Sequence, residues 1–402
     1  MLQLYNMLMV CYGLLTKLAA VWNTKARQIV SGREASLQSL VSWRNNNEPV
    51  VWIHCASLGE YEQVVPLLQM IKARQSQTQV ALTFYSPSGY IPMKDKAVAD
   101  WVGYLPNDTH RSMSAFIKVM APHVAIWVKN EWWWSCLSIL QSNKVPVHIV
   151  SATVRSDQYW VKWRLPFIDR VLANVRSIGV VDESSAEKLP ASVRPSSIYV
   201  SGDMRADRVL AIAEQEPPEH FLFKKLAAGR SVIIYGSMWL HDSPAFEKLY
   251  NMHPHHIHIM FPHDLSDQNV AKMAAEWEAE IVTSETRLAA GRVYIVAEMG
   301  LLSAAYRFAQ LVYVGGGYGK GVHNVLEAAV YGQLTVVGPK HHKSSECLRL
   351  LASGAVVDSS MIGKQLDINS HQIADAVNHF FKHHKGAVDR TYRLIFDKKA
   401  NT

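Results

Sequence analysis

Short apolar runs alternate with longer amphipathic stretches through most of the chain. Many of the runs are continuously rich in valine and isoleucine, which predicts parallel strands covered by helices on both faces. Apolar residues at helical spacing between them predict helices over 61–74, 111–120 and 183–189. The predicted strands span 50–55, 80–85, 123–128, 145–151, 178–181, 198–200, 232–235, 257–261, 293–296, 311–314 and 335–337.

The stretch Ala-Glu-Gln-Glu-Pro-Pro-Glu at 213–219 interrupts this alternation and predicts a linker. Two successive doubly wound α/β domains are therefore expected, with ligands at the carboxyl ends of their strands and the active site in a cleft between the domains. The predicted segments are a helix and lead-in over 1–30, a first Rossmann-like domain over 31–212, a linker over 213–220, a second Rossmann-like domain over 221–385, and a tail or helix over 386–402.

The first 22 residues are mostly apolar, and no basic residue precedes Lys17. A secretory signal begins with basic residues, and polar residues interrupt the roughly 20 apolar positions that a spanning helix needs. The pattern instead predicts an amphipathic helix in a membrane interface, with packing on its own domain or on a partner chain as the alternative and a spanning helix third. A polar stripe of Gln3, Asn6, Gly13 and Lys17 lies opposite Leu4, Leu8, Cys11, Leu15, Leu18 and Trp22.

The composition limits the classes of partner and ligand that the protein is expected to bind. A chain of 402 residues with 49% hydrophobic residues is long enough for two well-buried domains. Its net charge of +7 suits an anionic membrane surface or a phosphorylated substrate, and because no nucleic-acid motif appears, no nucleic-acid partner is expected. The four cysteines are widely spaced, which indicates a reducing compartment. The histidines at 253–258 fit a strand, so no metal site is predicted.

A glycine-rich segment after the predicted strand 311–314 is the most informative part of the chain. Gly315, Gly316 and Gly317 predict a turn whose backbone N–H groups approach an anion, and a helix start behind the turn would add unpaired donors. Asn324 is a good N-cap, and Glu327 could reach a ribose. The alternative is a capping box formed by these two residues. Neither a dinucleotide fingerprint nor a P-loop fits, which leaves a nucleotide-sugar site open.

Other strand ends carry candidate residues. Glu60 follows the first strand, either as the second half of a capping box with Ser57 or as a general base whose basicity a helix N-terminus would reduce. Glu131 precedes three tryptophans, of which at least one is expected to line a cleft. In the second half, Gly236 with Ser237 and Pro262 with His263 end successive strands. Each signal is weak alone, and their joint placement is stronger.

Taken in order, these segments resemble the 3-deoxy-D-manno-octulosonic acid (Kdo) transferases of lipopolysaccharide synthesis over nearly the whole chain. The matching segments are Ser57-Leu58-Gly59-Glu60, Pro87-Ser88-Gly89, Tyr104-Leu105-Pro106-Asn107-Asp108, Glu131 with Trp133, Gly202-Asp203-Met204-Arg205, Asp207-Arg208, Gly315-Gly316, His323-Asn324, Leu326-Glu327 and Gly338-Pro339. Departures from the family pattern include Trp134, Ser135, Met238 to His241, His263-Asp264 and Glu298.

The resemblance implies a GT-B fold and inverting transfer of Kdo from CMP-Kdo to the lipid A precursor, lipid IVA, at the cytoplasmic face of the inner membrane, without a metal or cofactor. It implies that Glu60 is the base and Glu131 a second acidic site residue. The implied donor-binding residues are Arg205, Gly236, Ser237, Pro262, His263, Gly315, Gly316, Gly317, Asn324 and Glu327, although Arg205 alternatively pairs with Asp203 or Asp207. Competing interpretations are another GT-B enzyme that uses a UDP-sugar and an inactive membrane-associated relative.

Overall fold

The computed structural model describes residues 2–44, 48–129, 131–162, 166–229, 231–363 and 370–397. They form two compact units. The first comprises Met1–Arg208 together with Gly386–Thr402, and the second comprises Val209–Lys385. The division lies within the helix Met204–Glu214, slightly upstream of the linker predicted over 213–220.

The first unit is built on a parallel sheet of seven strands. They are β1 (Val50–Cys55), β2 (Gln79–Phe84), β3 (Trp101–Tyr104), β4 (Val124–Val128), β5 (Val147–Ala152), β6 (Ser177–Val180) and β7 (Ile198–Val200), in the spatial order β3-β2-β1-β4-β5-β6-β7. The helices of this part are α1 (Leu2–Ala19), α2 (Thr24–Trp43), α3 (Leu58–Arg74), α4 (Pro87–Met93), α5 (His110–Met120), α6 (Trp134–Ser142), α7 (Tyr159–Lys162), α8 (Pro166–Leu172), α9 (Glu183–Glu187) and α10 (Met204–Glu214).

The second unit repeats the design with a second parallel seven-stranded sheet. Its strands are β8 (Val232–Met238), β9 (Ile257–Pro262), β10 (Glu280–Ile281), β11 (Val293–Ile295), β12 (Leu311–Val314), β13 (Leu334–Val337) and β14 (Val356–Asp358), in the order β10-β11-β9-β8-β12-β13-β14. The remaining helices are α11 (Phe221–Leu226), α12 (Ser243–Met252), α13 (Asp267–Glu276), α14 (Leu302–Ala305), α15 (Leu326–Ala329), α16 (Ser345–Ala352), α17 (Ser370–His384) and α18 (Ala387–Phe396).

Burial on both faces explains the apolar strand sequences. All six residues of β1 are buried, and successive side chains enter opposite layers of the core. Trp52 packs in one layer with Trp127, whereas Ile53 packs in the other with Ile126. A strand covered on both faces needs apolar residues at every position, so the continuous valine and isoleucine runs predicted the sheets correctly.

The last helix belongs to the first unit. The Asp207 carboxylate accepts hydrogen bonds from the backbone N–H groups of Gly386 and Val388, at 2.6 and 2.7 Å. Val388 and Tyr392 of α18 then pack in the same apolar layer as Ile53. The chain therefore leaves the first unit after α10 begins and returns to it at α18.

The N-terminal helix lies on the first unit by its polar side. The Asn6 Oδ1 atom accepts the backbone N–H of His110 at 2.8 Å, and Asn107 Nδ2 donates to the Met9 carbonyl at 2.7 Å. Gly13 packs so closely on Asn107 that an added Cβ would lie 2.5 Å from its Nδ2 atom. The predicted polar stripe thus contacts protein at Asn6 and Gly13, so the apolar face points outward.

No residue of α1 is buried. Its large apolar side chains are exposed by 57% or more at Leu4, Leu8, Leu15 and Leu18, and Trp22, just beyond the helix, is 70% exposed. Among the described residues no single helix is long and apolar enough to cross a membrane, and α1 and α2 pass the same test together only as a pair bent by 117°.

Candidate active site

Glu60 lies in the first turn of α3, at the carboxyl end of β1. Its carboxylate accepts the backbone N–H of Ala56 at 2.5 Å. Ser57 is the N-cap of this helix, but its side chain makes no capping hydrogen bond, so the predicted capping box is incomplete. The carboxylate is therefore fixed by the strand end as well as by the helix.

Burial raises the pKa of Glu60 above the ordinary glutamate value, outweighing the opposing effects of the Lys129 charge and of the backbone N–H groups of Ala56 and Ser57. The sequence predicted the opposite direction, because it considered the helix terminus alone. A carboxylate with a raised pKa is a stronger base, and it is still ionised once the pH exceeds that pKa.

Glu131 lies beyond β4, next to Glu60. Burial raises the pKa of Glu131 to about 7, and the negative charge of Glu60 contributes to the increase. Trp133, between the buried Trp132 and Trp134, is half-buried and stacks on Tyr85 with ring centroids 4.8 Å apart. Two of the three consecutive tryptophans are thus core residues, and the third stacks beside the acidic pair.

Lys129 is a residue that sequence reasoning missed. It follows β4 with φ of +60°, in the left-handed region that costs energy for any residue but glycine, and its N–H donates to Val150 O at 2.9 Å. Its charge opposes the rise in the pKa of Glu60 and also lowers the pKa of Asp203. No spacing or motif in the sequence marks it.

Arg205 is paired within its own unit. Its guanidinium contacts both carboxylate oxygens of Asp203, with Nη2 2.6 Å from Oδ2, and Gln63 Nε2 donates to Oδ1 at 3.0 Å. Burial alone would raise the pKa of Asp203, but the charge and hydrogen bonds of Arg205 outweigh it and hold the pKa near 2. Of the alternatives weighed for Arg205, the structure contains the pair with Asp203, whereas Asp207 holds the start of α18.

The glycine loop lies at the carboxyl end of β12 in the second unit. Gly315 N–H donates to Gly236 O at 2.8 Å, and Gly316 has φ of +87°. Gly317 approaches Gly338 so closely that an added Cβ would lie 2.5 Å from the Gly338 Cα atom. Only glycine fits these contacts, which join the ends of β8, β12 and β13.

The helix expected directly behind this loop is short and displaced. α15 spans only Leu326–Ala329, and its N-cap is Val325, not Asn324 as predicted. Asn324 Oδ1 still accepts the Leu326 N–H at 3.3 Å, while its Nδ2 donates to Glu327 at 2.7 Å. The Ser303 hydroxyl donates to the other oxygen of Glu327. This short helix therefore offers an anion little help from its dipole.

The remaining candidates lie at the ends of β8 and β9. Ser237 has φ of +52° at an irregularity of β8, and Pro262 pairs with Met238 across the two strands. His263 follows Pro262 and stacks on His323, with ring centroids 4.2 Å apart. Around them, Gly236 packs against the hydroxyl of Tyr306.

Trp239 and His323, which were not selected from the sequence, complete this ring stack. Trp239 Nε1 donates to His323 Nε2 at 3.0 Å, and its ring centroid is 4.8 Å from that of His263. Burial lowers the pKa of His323 to about 4, with the nearby His263 and His241 adding to the effect. The stack therefore presents a neutral imidazole at pH 7.

The candidates thus form two groups, one in each unit. Glu60 and Glu131 meet at the carboxyl edge of the first sheet. Two clusters occupy the carboxyl edge of the second: the glycine loop with Gly236, Ser237, Pro262 and His263, and the Asn324–Glu327 pair. Carboxyl edges of doubly wound sheets are where ligands bind.

Two units, each built on a doubly wound sheet of parallel strands, define a GT-B type glycosyltransferase fold, as the sequence predicted. Solved structures agree with the fold. A UDP-N-acetylglucosamine 2-epimerase matches with TM-score 0.60 and 12% identity over 87% of this chain and 94% of its own. Acinetobacter baumannii MurG matches with TM-score 0.52 and 14% identity over 86% and 99%.

Sequence comparison supports one family. Residues 31–208 match the family model described as 3-deoxy-D-manno-octulosonic-acid transferase (kdotransferase). The 3-deoxy-D-manno-octulosonic acid transferase of Bordetella pertussis is 23% identical, covering 86% of this chain and 87% of its own length. The enzyme of the same name from Aquifex aeolicus is 22% identical over 76% and 80%. These matches support the Kdo transferase family, a family of glycosyltransferases, for this chain.

Proposed function

We propose that this protein transfers Kdo from CMP-Kdo to a hydroxyl of the lipid A precursor, lipid IVA, with inversion and with Glu60 as the general base. The family match supports Kdo transfer. The observation that carries the role of Glu60 is a half-buried carboxylate of raised pKa, held by the Ala56 N–H at the end of β1.

The proposed step is a single displacement. Glu60 takes the proton of the acceptor hydroxyl while the oxygen of that hydroxyl bonds to the anomeric carbon of Kdo. The bond from that carbon to the CMP phosphate breaks, and CMP departs with the electron pair. The Gly317 N–H can stabilise the phosphate charge that develops, whereas the N–H groups of Gly315 and Gly316 already donate to Gly236 O and Asp242. Glu131, adjacent to Glu60, is the proposed second acidic residue of the site.

The acceptor is a phosphorylated lipid, which agrees with the outward apolar face of α1. Leu15 and Trp22 are exposed by 64% and 70%, a costly arrangement in water that burial among lipid headgroups and acyl chains would relieve. We propose that α1 lies in the cytoplasmic leaflet of the inner membrane, peripherally or as a monotopic anchor.

The test measures CMP release from freshly generated CMP-Kdo, with and without lipid IVA, in detergent with the full chain. We expect acceptor-dependent release by the wild type and a loss of about 10²–10⁴-fold in Glu60→Gln. Glu62→Gln, two positions away on the same helix and paired with Arg208, is the matched control and should retain activity.

Two outcomes would overturn the proposal. Release from a UDP-sugar but not from intact CMP-Kdo would make the protein another GT-B enzyme. Full activity of a folded Glu60→Gln variant would leave the transfer reaction standing and remove Glu60 as its base.

A further inference from the structure

Asp242 is a carboxylate with no accessible surface, located just beyond β8. Its Oδ2 atom accepts the N–H groups of Gly316 at 2.9 Å and of Trp239 at 3.1 Å. Its Oδ1 atom accepts the Tyr313 hydroxyl at 2.9 Å and the Tyr318 N–H at 3.4 Å. Both oxygens are therefore occupied by donors from two separate parts of the chain.

Capping of its own turn would require only the Trp239 N–H. The three other donors lie 71 to 76 residues further along the chain, on β12 and in the glycine loop. Two of those donors, Gly316 and Tyr318, flank Gly317, whose position against Gly338 leaves no room for a side chain. Asp242 thus ties the end of β8 to both sides of the loop.

These bonds decide which way the loop N–H groups point. The Gly316 N–H is directed inward to Asp242, and Gly316 itself has φ of +87°. Without an acceptor at this place, a buried N–H would be left unpaired at a cost of about 1–3 kcal/mol, so the loop would rearrange to reach water. A rearranged loop would no longer hold the Gly317 N–H ready for an anion.

We infer that Asp242 is a positioning residue for the donor, because it fixes the glycine loop in the conformation that receives the donor phosphate. The inference rests on the proposed function, in which this loop binds CMP-Kdo. Asp242 itself, fully buried and already bonded through both oxygens, touches no substrate.

Asparagine in place of Asp242 keeps the size but turns one acceptor into a donor. Its amide NH₂ could still donate to the Tyr313 hydroxyl, but on either side it would face at least one backbone N–H, so at least one bond to a backbone N–H is lost. We expect Asp242→Asn to raise the Kd for CMP and the KM for CMP-Kdo at least tenfold, while kcat at saturating donor changes less than threefold. The Gly316 amide, slow to exchange with deuterium in the free wild type, should exchange faster.

The full chain in detergent is used throughout, with CMP as a stable probe and Glu247→Gln as an exposed control carboxylate on the adjacent helix. A folded Asp242→Asn variant with CMP affinity within twofold of the wild type would overturn the inference. If that variant does not fold, Tyr313→Phe removes one bond to Asp242 and keeps the ring. It should raise the Kd for CMP about threefold or more and speed Gly316 exchange, and no change in either would also overturn the inference.

Failure of the proposed donor is distinguishable from failure of this inference. A wild type that binds no CMP overturns the donor assignment, and the positioning role with it, regardless of any variant. A wild type that binds CMP and transfers Kdo, beside an Asp242→Asn variant that does both equally well, overturns only the role of Asp242.

Discussion

Glu60 and Glu131 are neighbouring half-buried carboxylates, and the charge of Glu60 contributes, after desolvation, to raising the pKa of Glu131 to about 7. Two like charges in a desolvated site cannot both ionise cheaply, so the charge of Glu60 makes the ionisation of Glu131 less favourable. The pair therefore makes both stability and catalysis depend on pH in a defined direction.

Glu131→Gln should stabilise the protein in alkaline solution. The pKa of Glu131 is higher in the folded state than in the unfolded chain. The contribution of Glu131 to the free energy of unfolding is therefore fully present below the pKa of the unfolded chain and is lost as the pH rises through about 7. Removing the charge should raise the free energy of unfolding by about 1–3 kcal/mol at pH 8.5 and by little at pH 5. Denaturant unfolding at both values tests this, and an equal effect at both would refute it.

Lys129→Met should move the acid limb of the pH–activity profile to higher pH. The charge of Lys129 opposes the burial that raises the pKa of Glu60, so its removal raises that pKa further. The proposed base works only when it is ionised. As the pH is lowered, kcat/KM of the variant should therefore begin to fall at a higher pH than kcat/KM of the wild type. A pH–rate profile measures the shift, with Lys144→Met, an exposed lysine elsewhere in the unit, as control. An unchanged limb would contradict the coupling.

Arg205→Met should lower the stability of the protein. It leaves the Asp203 carboxylate buried without its cation, which costs about 3–5 kcal/mol of unfolding free energy. The double variant Asp203→Asn, Arg205→Met should recover part of the loss, as a double-mutant cycle would show. CMP affinity that falls while stability stays unchanged would assign Arg205 to the donor instead.

Leu8→Ser with Leu15→Ser should weaken binding to anionic phospholipid vesicles. Both side chains are mostly exposed on α1, and each contributes about 1–2 kcal/mol if lipid buries it. The partition coefficient should fall roughly tenfold or more, with the melting temperature unchanged. Met299→Ser, at an 81% exposed position of the second unit, is the control. Equal vesicle binding by the double variant and the wild type would remove the membrane role of α1.

Gly59→Ala and Gly317→Ala should change stability in opposite directions. Nothing lies within 4 Å of a Cβ at Gly59, and alanine in a helix gains about 0.5–1 kcal/mol over glycine. At Gly317 the added Cβ would overlap the backbone of Gly338, costing about 1–3 kcal/mol. Thermal unfolding of both variants checks the contrast, which fails if the two shifts have the same sign.

Sequence patterning identified the long, buried strands within a few residues, because strands covered on both faces require uninterrupted apolar side chains. It missed β3, where Gly103 interrupts a short aromatic run, and also β10 and β14, which have only two and three residues. Short strands take their conformation from neighbouring strands, and that information is not local.

The sequence predicted which positions carry candidate site residues, but not the pKa shifts of those residues. Motifs located Glu60 and the glycine loop, but the direction of the Glu60 pKa depends on burial, which no local pattern contains. Asp242 and Lys129 carried no signal, because their partners are distant in sequence or depend on strand register. The sequence predicted the amphipathic pattern of α1, but not that polar Asn6 would bond to protein instead of water.

The attachment of Gly386 and Val388 to Asp207 makes the second unit an insertion into the first. The hydrophobic layer beneath α3 stays open until α18 arrives, so the first unit cannot finish folding until the second has been synthesised. A fragment ending near residue 208 would expose that layer, whereas the contiguous segment Val209–Lys385 can be excised without cutting the first unit's sheet. A deletion variant in which a short linker replaces the second unit and joins α10 to α18 would therefore be the way to obtain the acidic pair on its own.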